Sequence, residues 1–501
     1  MFEPNQMVDV NQLVALNEQL RKNADAIKKS NVGYQSNSVS GLAGDSLSPI
    51  VPQSIEQTLA NASFAMKDIV CWNLIPKISV TNTYHEYAVI NEHGQDLDPF
   101  ISEGGGAADA FGTTNSQYER KFVKIKYLAE RRQISDVGTL VGILGSNPNG
   151  LAEETERGTM SLLRKVEHQL FHGSEALNSN GFDGLLEQIA RDTSSAYSAQ
   201  NGGRDFSANQ TDLGGLVASP GRLHEVLGEL SSINRFGKPD FIMCDPKVYS
   251  KLIKESDGAG RHDSLLLVNM LDQGVQTFGA GPKIHVMGPF GPVPVIMAPF
   301  LNKQSLCPSA ASSTATTANW VAGDFTIASV AIAGAEVSHF DAAATDNGHD
   351  GNFAYKLVCV TSKGYTEPFS LGAVAANDGN VPRITCVSAA KIPADALYWR
   401  VYRSAPGSLT DYKLVEEIPI AFLNQAAETW KDYGNTRRDC SSLIIGQTDS
   451  LEFVRLLDFL RRGVADLGAS RNFLMMLFGS PVVKLPKKNY VLRNADGRIS
   501  L

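Results

Sequence analysis

The sequence predicts an α+β protein in which an all-β sandwich is inserted into a larger mixed α/β body. Three observations predict it. Aromatic and β-branched runs at Leu397-Tyr398-Trp399-Arg400-Val401-Tyr402-Arg403, Tyr412-Lys413-Leu414-Val415 and Thr429-Trp430-Lys431-Asp432-Tyr433-Gly434 read as successive strands of a sandwich. One long helical period, Leu151 to Phe171, stands well upstream of them. Mixed α/β patterning precedes the β module and resumes after Cys440, so the module interrupts a body near neither terminus. That layout favours display or interaction over catalysis.

The chain has 501 residues, too many for one ordinary core, and implies about two to four domains. Apolar residues make up 43% and charged residues 20%, which permits a sizeable core and excludes global disorder. The formal net charge of −8 is the opposite of a basic nucleic-acid binder, so any contact with nucleic acid is local. Cys71, Cys244, Cys307, Cys359, Cys386 and Cys440 form no CxxC pair and no metal spacing, as in a chain that folds in a reducing cytoplasm. Cys359 and Cys386 both fall in the β module and could meet across it; buried free thiols are the plainer reading. Met1-Phe2-Glu3-Pro4-Asn5-Gln6 has no basic n-region or apolar h-region, and no run of about eighteen apolar residues occurs. The expectation is a soluble protein made in the cytosol, with no membrane contact.

Val10 to Lys29 carries Leu13, Leu16, Leu20 and Ile27 on one stripe behind a candidate N-cap at Asp9, which predicts a helix that docks on a neighbour. Ser30 to Pro52, rich in Ser, Asn and Gly, reads as an extended arm. Ile75 to Ala88 and Lys121 to Leu128 are strand-like, and in the second run Val123, Ile125 and Tyr127 alternate with Lys124 and Lys126. The polar stretch Asn91 to Gln117 between them makes the pair a protruding β-hairpin, which usually lies on a partner.

Leu151, Thr155, Gly158, Leu162, Val166 and Leu170 form the stripe of the long helix, with Glu153, Glu154, Glu156, Arg164 and Lys165 mostly off it and Gly173 as its stop. At 1.5 Å per residue it spans roughly 30 Å. Beyond a turn-rich link at Gly184-Leu185-Leu186, a second α/β unit follows. It comprises a helix over Gly221 to Ile233, a strand Phe241 to Cys244, a helix Pro246 to Ile253 started by Asp245, and strands near Lys283 to Val286 and Val293 to Met297. Leu306 to Asn319 is a Ser/Ala/Thr linker, after which Phe353 to Val360 and Ile384 to Val387 join the aromatic strands of the sandwich. Past Cys440, Leu451 to Val464 has Phe453, Leu456, Leu457, Leu460 and Val464 at helical spacing and is predicted as an amphipathic helix; Phe473 to Phe478 and Tyr490 to Leu492 read as closing strands.

The chain looks catalytically empty. His168 and His172 have the four-residue spacing that can bring two imidazoles to one metal, but the glutamate of a zincin helix is missing between them, and they read as ordinary helix-surface histidines. Gly104-Gly105-Gly106 lacks the Lys-Ser/Thr of a phosphate loop and reads as a loop tip. Asp346-Asn347-Gly348-His349-Asp350-Gly351 has Leu357 where a calcium loop needs its bidentate acid, so a turn entering a strand is expected. No GxSxG elbow and no Cys/His nucleophile signature occurs, and Glu153-Glu154 and Glu416-Glu417 are adjacent pairs that read as surface carboxylates. No catalytic, cofactor-binding or metal residue is assigned.

The order of elements, with Phe171-His172-Gly173 leading to Gly181-Phe182-Asp183-Gly184-Leu185, Arg400-Val401-Tyr402-Arg403 leading to Trp430-Lys431-Asp432-Tyr433-Gly434, and the tail Phe478-Gly479-Ser480-Pro481-Val482-Val483-Lys484-Leu485-Pro486-Lys487-Lys488, resembles the major capsid protein of tailed bacteriophages. The likeness is to the Hong Kong 97-type fold, in long-chain members whose shell domain carries an immunoglobulin-like or fibronectin-like insertion. It implies an N-terminal arm at 1–62, an extended loop with peripheral-domain strands at 63–137, a spine helix and peripheral domain at 138–204, an axial domain at 205–303, the inserted sandwich at 304–440, and a return to the axial and peripheral domains at 441–501. It also implies hexameric and pentameric capsomers of this chain, scaffold, portal and decoration proteins as partners, non-specific contact with packaged double-stranded DNA, and a place in the virion after assembly in the host bacterial cytoplasm. No side-chain set here matches the lysine–asparagine cross-links of some members, and none is carried over. The rival readings are an encapsulin-like compartment shell, a surface or carbohydrate-binding protein that uses the sandwich, and an enzyme of unknown type.

Overall fold

Strand-forming runs dominate the chain, in a computed structural model that describes residues 64–93, 115–140, 150–190, 209–233, 235–258, 285–312, 320–334, 336–342, 349–388, 391–408, 410–465 and 468–498. All of these belong to one unit, Asn61–Ile143 with Asn147–Leu501. The expected helix Val10 to Lys29, the arm Ser30 to Pro52 and the tip Gly104 to Gly106 lie outside the described residues.

In chain order the body begins with α1 (Cys71–Leu74), β1 (Lys77–Ser79), β2 (Tyr84–Glu92), β3 (Gln117–Lys124), β4 (Lys126–Ser135), α2 (Asp136–Leu140), α3 (Gly150–His172) and α4 (Leu185–Ala190). It continues with β5 (Gln210–Asp212), α5 (Pro220–Leu230), β6 (Phe241–Cys244), α6 (Pro246–Gly258), β7 (His285–Gly288) and β8 (Gly291–Met297). The β module follows as β9 (Phe325–Ala331), β10 (Gly351–Thr361), β11 (Gly364–Tyr365), β12 (Phe369–Ala376), β13 (Asn380–Cys386), β14 (Ala396–Arg403), β15 (Lys413–Pro419) and β16 (Thr429–Lys431). The chain then returns as β17 (Cys440–Gly446), β18 (Leu451–Val464), β19 (Ser470–Val483) and β20 (Tyr490–Asp496).

Two sheets build the body. The first runs β1-β18-β19-β4 and the second β5-β20-β17-β6-β8-β7. The second sheet is covered on both faces. Phe241 and Met243 of β6, with Ile444 and Val491, join the core under α3 and α4, while Ile242 and Cys244, with Leu443, Ile445 and Leu492, face α5 and α6. Two covered faces explain why Phe241-Ile242-Met243-Cys244 is an unbroken apolar run. The β module leaves after β8 and re-enters at β17, and both strands flank β6. Its two roots therefore lie about 10 Å apart across one strand.

The module is a two-sheet sandwich. One sheet holds β11-β10-β14-β15 with β12 on β10, the other β16-β13-β9, and they share a core that includes Trp399, Trp430, Tyr355 and Val401. Cys359 and Cys386 lie in that same core as free thiols, and all six cysteines are unbridged.

Three expectations are corrected. Leu451–Val464 is a strand, not a helix. Its pairing with β19 shifts register between Arg455 and Leu457 and again between Leu457 and Leu460, and those extra residues turn a period of two into spacings that mimic a helical stripe. The run Ile75 to Ala88 divides: β1 pairs with β18, whereas β2 pairs with β3. The alternation through Val123, Ile125 and Tyr127 also breaks, because the chain changes sheets there. Ile125 and Lys126 are both buried and Tyr127 is exposed, with Lys126 Nζ 2.8 Å from both the Glu175 carboxylate and the Ser179 carbonyl.

Candidate interaction surfaces and the sandwich seam

The β2–β3 pair is an antiparallel ribbon whose register places Tyr84 opposite Lys124, Glu86 opposite Phe122, Ala88 opposite Arg120 and Ile90 opposite Tyr118. Directly opposed residues share a face. This one therefore carries four large apolar side chains, and all are exposed: Tyr84 51%, Ile90 48%, Tyr118 70% and Phe122 71%. Arg120 and Glu86 form an exposed ion pair at 3.4 Å between them. The opposite face holds His85, Tyr87, Val89, Lys121 and Val123, of which Tyr87 and Val123 pack against Ile125, Val454 and Val482 of the body. The ribbon thus has a face turned to its own chain and an apolar face turned away. An isolated two-stranded ribbon is marginal at best, and large exposed apolar side chains on its free face mark a contact surface.

Helix α3 is the beam of the body. Its stripe Leu162, Val166 and Leu170 is buried as expected, with Leu163 and Phe171 beside it. Glu167 is buried too, at 0% exposure. Its carboxylate accepts the N–H groups of Val70 (3.0 Å), Cys71 (2.7 Å) and Trp72 (2.8 Å), the open amino end of α1. Burial raises the Glu167 carboxyl against the lowering effect of those three donors. A glutamate between Leu163 and Leu170 on an apolar stripe was the available signal for this clamp.

The sandwich stands on the body through a polar seam. Arg437 donates to both Asp341 oxygens at 3.0 and 2.7 Å, and its own N–H donates to Asn494 Oδ1 at 3.1 Å. Asn494 Nδ2 in turn donates to Asp212 and to the Asn435 carbonyl, each at 2.9 Å. Gln304 donates to the Cys440 carbonyl at 3.0 Å and accepts from Asp439 N at 2.7 Å, which ties the outgoing and returning chains together. Lys413 pairs with Asp439. A cleft of about 130 Å³ opens in this seam, with Phe171, His172, Glu187, Lys303, Glu416 and Arg493 in its walls. Among the described residues Ser441 Oγ, also in the wall, is buried and has no protein hydrogen-bond partner.

His168 and His172 are brought together at this seam, with ring centroids 5.0 Å apart. They are not surface histidines: both are partly buried at the foot of the sandwich, and His172 Nε2 donates to the Phe300 carbonyl at 3.2 Å. Burial pushes both imidazoles down, His172 well down; at His168 Glu417 opposes this while Arg400 and Lys303 reinforce it. Among the described residues no three His, Cys, Asp or Glu side chains converge where a metal could sit.

The adjacent carboxylates are also less superficial than expected. Glu153 is largely buried and pairs with Arg157 at 2.8 Å, while Glu154 faces Arg132. Glu417 is buried against Arg400 at 2.9 Å; burial alone would raise its carboxyl, but Arg400, Lys303 and His168 hold it below the usual range. Of the calcium-like stretch, Asp346-Asn347-Gly348 lies outside the described residues; Gly351, at φ +110°, opens β10, and Leu357 is core.

No protein-family model matches the chain and no curated protein does. Among solved structures, it is similar to the holo-SrpI encapsulin complex from Synechococcus elongatus PCC 7942 at 9% identity, over 91% of this chain and 97% of that one, with a TM-score of 0.42. It is similar to the capsid of a native GTA particle at 10% identity, over 91% and 100%, with a TM-score of 0.46. It is also similar to a protein of Gordonia phage Cozz at 13% identity, over 92% and 95%, with a TM-score of 0.41.

Proposed function

We propose that this chain is a self-assembling shell subunit, the major capsid protein of a tailed bacteriophage, and that it acts by association without catalysis. The observation that carries this is the β2–β3 ribbon: four large apolar side chains aligned on one face of a two-stranded arm, turned away from the chain's own core. Such a face is stabilised by covering it, and a second copy of the chain is the partner always present during assembly. The long α3 beam and the doubly covered second sheet give the rigid body that such arms need. In this reading the fold is of the Hong Kong 97 type, divided at 1–62, 63–137, 138–204, 205–303, 304–440 and 441–501. The sandwich is an immunoglobulin-like or fibronectin-like module on the outer surface. Hexameric and pentameric capsomers enclose double-stranded DNA, which the inner face meets without reading sequence. Scaffold, portal and decoration proteins are partners, and the assembled chain resides in the virion.

Electron microscopy of the purified protein after size exclusion tests this. Closed shells or rings of five and six subunits are expected, and nuclease-protected DNA should be found in particles isolated from producing cells. A monodisperse monomer at every concentration and salt refutes self-assembly. Shells that hold protein cargo and no nucleic acid would favour the encapsulin-like alternative.

A further inference from the structure

We propose that the seam between the sandwich and the body is an acid-labile joint, in which charging of His168, His172, His339 and His349 loosens the sandwich while the body stays folded. The placement of these side chains carries the proposal. Four of the nine histidines lie along this one seam or at the base of the sandwich beside it. His168 and His172 end α3, and His172 lines the cleft. His349 is 3% exposed, stacked on Phe340 at 4.9 Å and edge-on to Phe353, and its Nε2 donates to the Gly434 carbonyl at 2.9 Å.

The charged groups around them are mostly cations. His168 meets Arg164 of its own helix, Lys303 of the outgoing chain, and Arg400 and Glu417 of the sandwich. His172 meets His168 and Lys303, with the carbonyls of Phe300 and Leu301 as acceptors and Glu187, Glu416 and Arg493 elsewhere in the cleft wall. His339 meets Asp212 and Arg493 of the body and Arg437 of the returning chain. His349 meets Arg403, Arg437 and His339. Three of the facing carboxylates are already engaged: Glu417 by Arg400, Asp212 by Asn494, and Asp341 by Arg437. An added proton therefore enters a partly dry site where Arg400, Arg403 and Arg437 are already balanced by Glu417, Asp432 and Asp341, so it adds net charge there, and the cheapest relief is to open the seam to water.

The sign follows from the protonation states. Burial, reinforced by these cations, pushes all four imidazoles below their ordinary value, His349 to about 2. Once open, each titrates near 6.5, so the open form binds more protons below that pH. Closure is complete above about pH 6.5, and opening is favoured by up to roughly tenfold per pH unit for each histidine below it. Glu417, Asp439 and Asp496 are held below the ordinary carboxylate range by their partners despite burial, while burial raises Glu167 and Asp245, whose protonation favours the closed form; acid opening between pH 6.5 and 5 is therefore driven by the histidines.

Hydrogen exchange of the full-length protein at pH 7.5, 6.0 and 5.0, corrected for intrinsic rates, reads the joint directly. Segments 299–304 and 433–440 are expected to lose at least about tenfold in protection by pH 5.0, while 241–244 and 443–446 keep theirs. The double variant His168→Gln with His172→Gln, and separately His349→Gln, should each flatten the pH dependence of the seam. If a variant fails to fold, the wild-type slope decides, and fewer than about one proton taken up per opening overturns the proposal. So do seam protection that is unchanged at pH 5.0, parallel loss from seam and body, or folded variants whose pH dependence matches wild type. The joint does not rest on the shell assignment, and particles seen or not seen by microscopy leave this readout intact.

Discussion

Removing the Asp432 carboxylate should destabilise the sandwich more than any other single polar change in it. Asp432 Oδ2 accepts from Arg403 at 2.7 Å and from the Tyr355 hydroxyl at 2.8 Å, and Oδ1 accepts from Gly434 N at 2.8 Å. Arg403 and Asp432 side chains are only 3% and 2% exposed. Asp432→Ala leaves a buried guanidinium with only the neutral Thr436 carbonyl and Tyr355 hydroxyl as acceptors, and a buried Gly434 N–H without its acceptor. Breaking a buried pair from one side costs about 3–5 kcal/mol. With a urea m-value near 2 kcal/mol/M, the midpoint falls by about 2 M. Trp320, Trp399 and Trp430 are three of the four tryptophans and all belong to the sandwich core, so intrinsic fluorescence reports this unfolding step. Tyr355→Phe, which removes one hydrogen bond at nearly constant shape, should cost about 1 kcal/mol and shift the midpoint by about 0.5 M. A shift below about 0.5 M for Asp432→Ala at unchanged slope would show that Arg403 finds water or another acceptor, and would refute the buried-pair argument.

Glu167→Ala removes the shared acceptor of three N–H groups and should cost about 1–3 kcal/mol, read as faster proteolytic cleavage within residues 64–76 at unchanged helix content. Gly479→Ala places a Cβ 2.4 Å from Phe453 Cε1 and 2.8 Å from the Val454 carbonyl oxygen, so thermal denaturation should show at least about 1–3 kcal/mol of overpacking between β18 and β19. Glu417, Asp439 and Asp496 are held below the usual carboxylate range, so their stabilisation is present above about pH 4 and is lost as pH falls through their folded values. An acid titration by circular dichroism should show that loss as a limb below pH 4, separate from the histidine window. Phe122→Ser with Tyr118→Ser, both exposed on the ribbon, should leave monomer stability within about 0.5 kcal/mol and abolish assembled particles in sedimentation; unimpaired assembly removes the ribbon from the contact surface.

Much of the fold was legible because local pattern and tertiary environment agree. Leu162, Val166 and Leu170 predict α3 since one face of a long helix is buried, and Trp399 and Val401 predict sandwich strands since one face of each strand meets the opposing sheet. Phe241 to Cys244 reads as a strand because both of its faces are covered. Leu451–Val464 misled because two register shifts displace the period. Ile125 and Lys126 misled because the chain passes from the ribbon to the first sheet between them, so the side of the strand that counts as inside changes.

The candidate sites divide along the same line. The ribbon's exposure could be anticipated from two strands with a long polar link, but which four apolar residues share its outer face depends on cross-strand register. The amino-acid pattern alone shows a β module interrupting an α/β body and a long helix running through that body, and it carries no catalytic signature. These follow from periodicity and spacing, which are local properties. Three-dimensional packing alone sets Glu167 as the cap of α1, pairs Asp432 with Arg403, and brings His168 and His172 together at the foot of the sandwich with His349 buried in its base. Glu167 and Cys71 are ninety-six positions apart and His172 and Phe300 one hundred and twenty-eight. Burial and charge at such contacts arise when distant segments meet, and a one-dimensional pattern does not carry them.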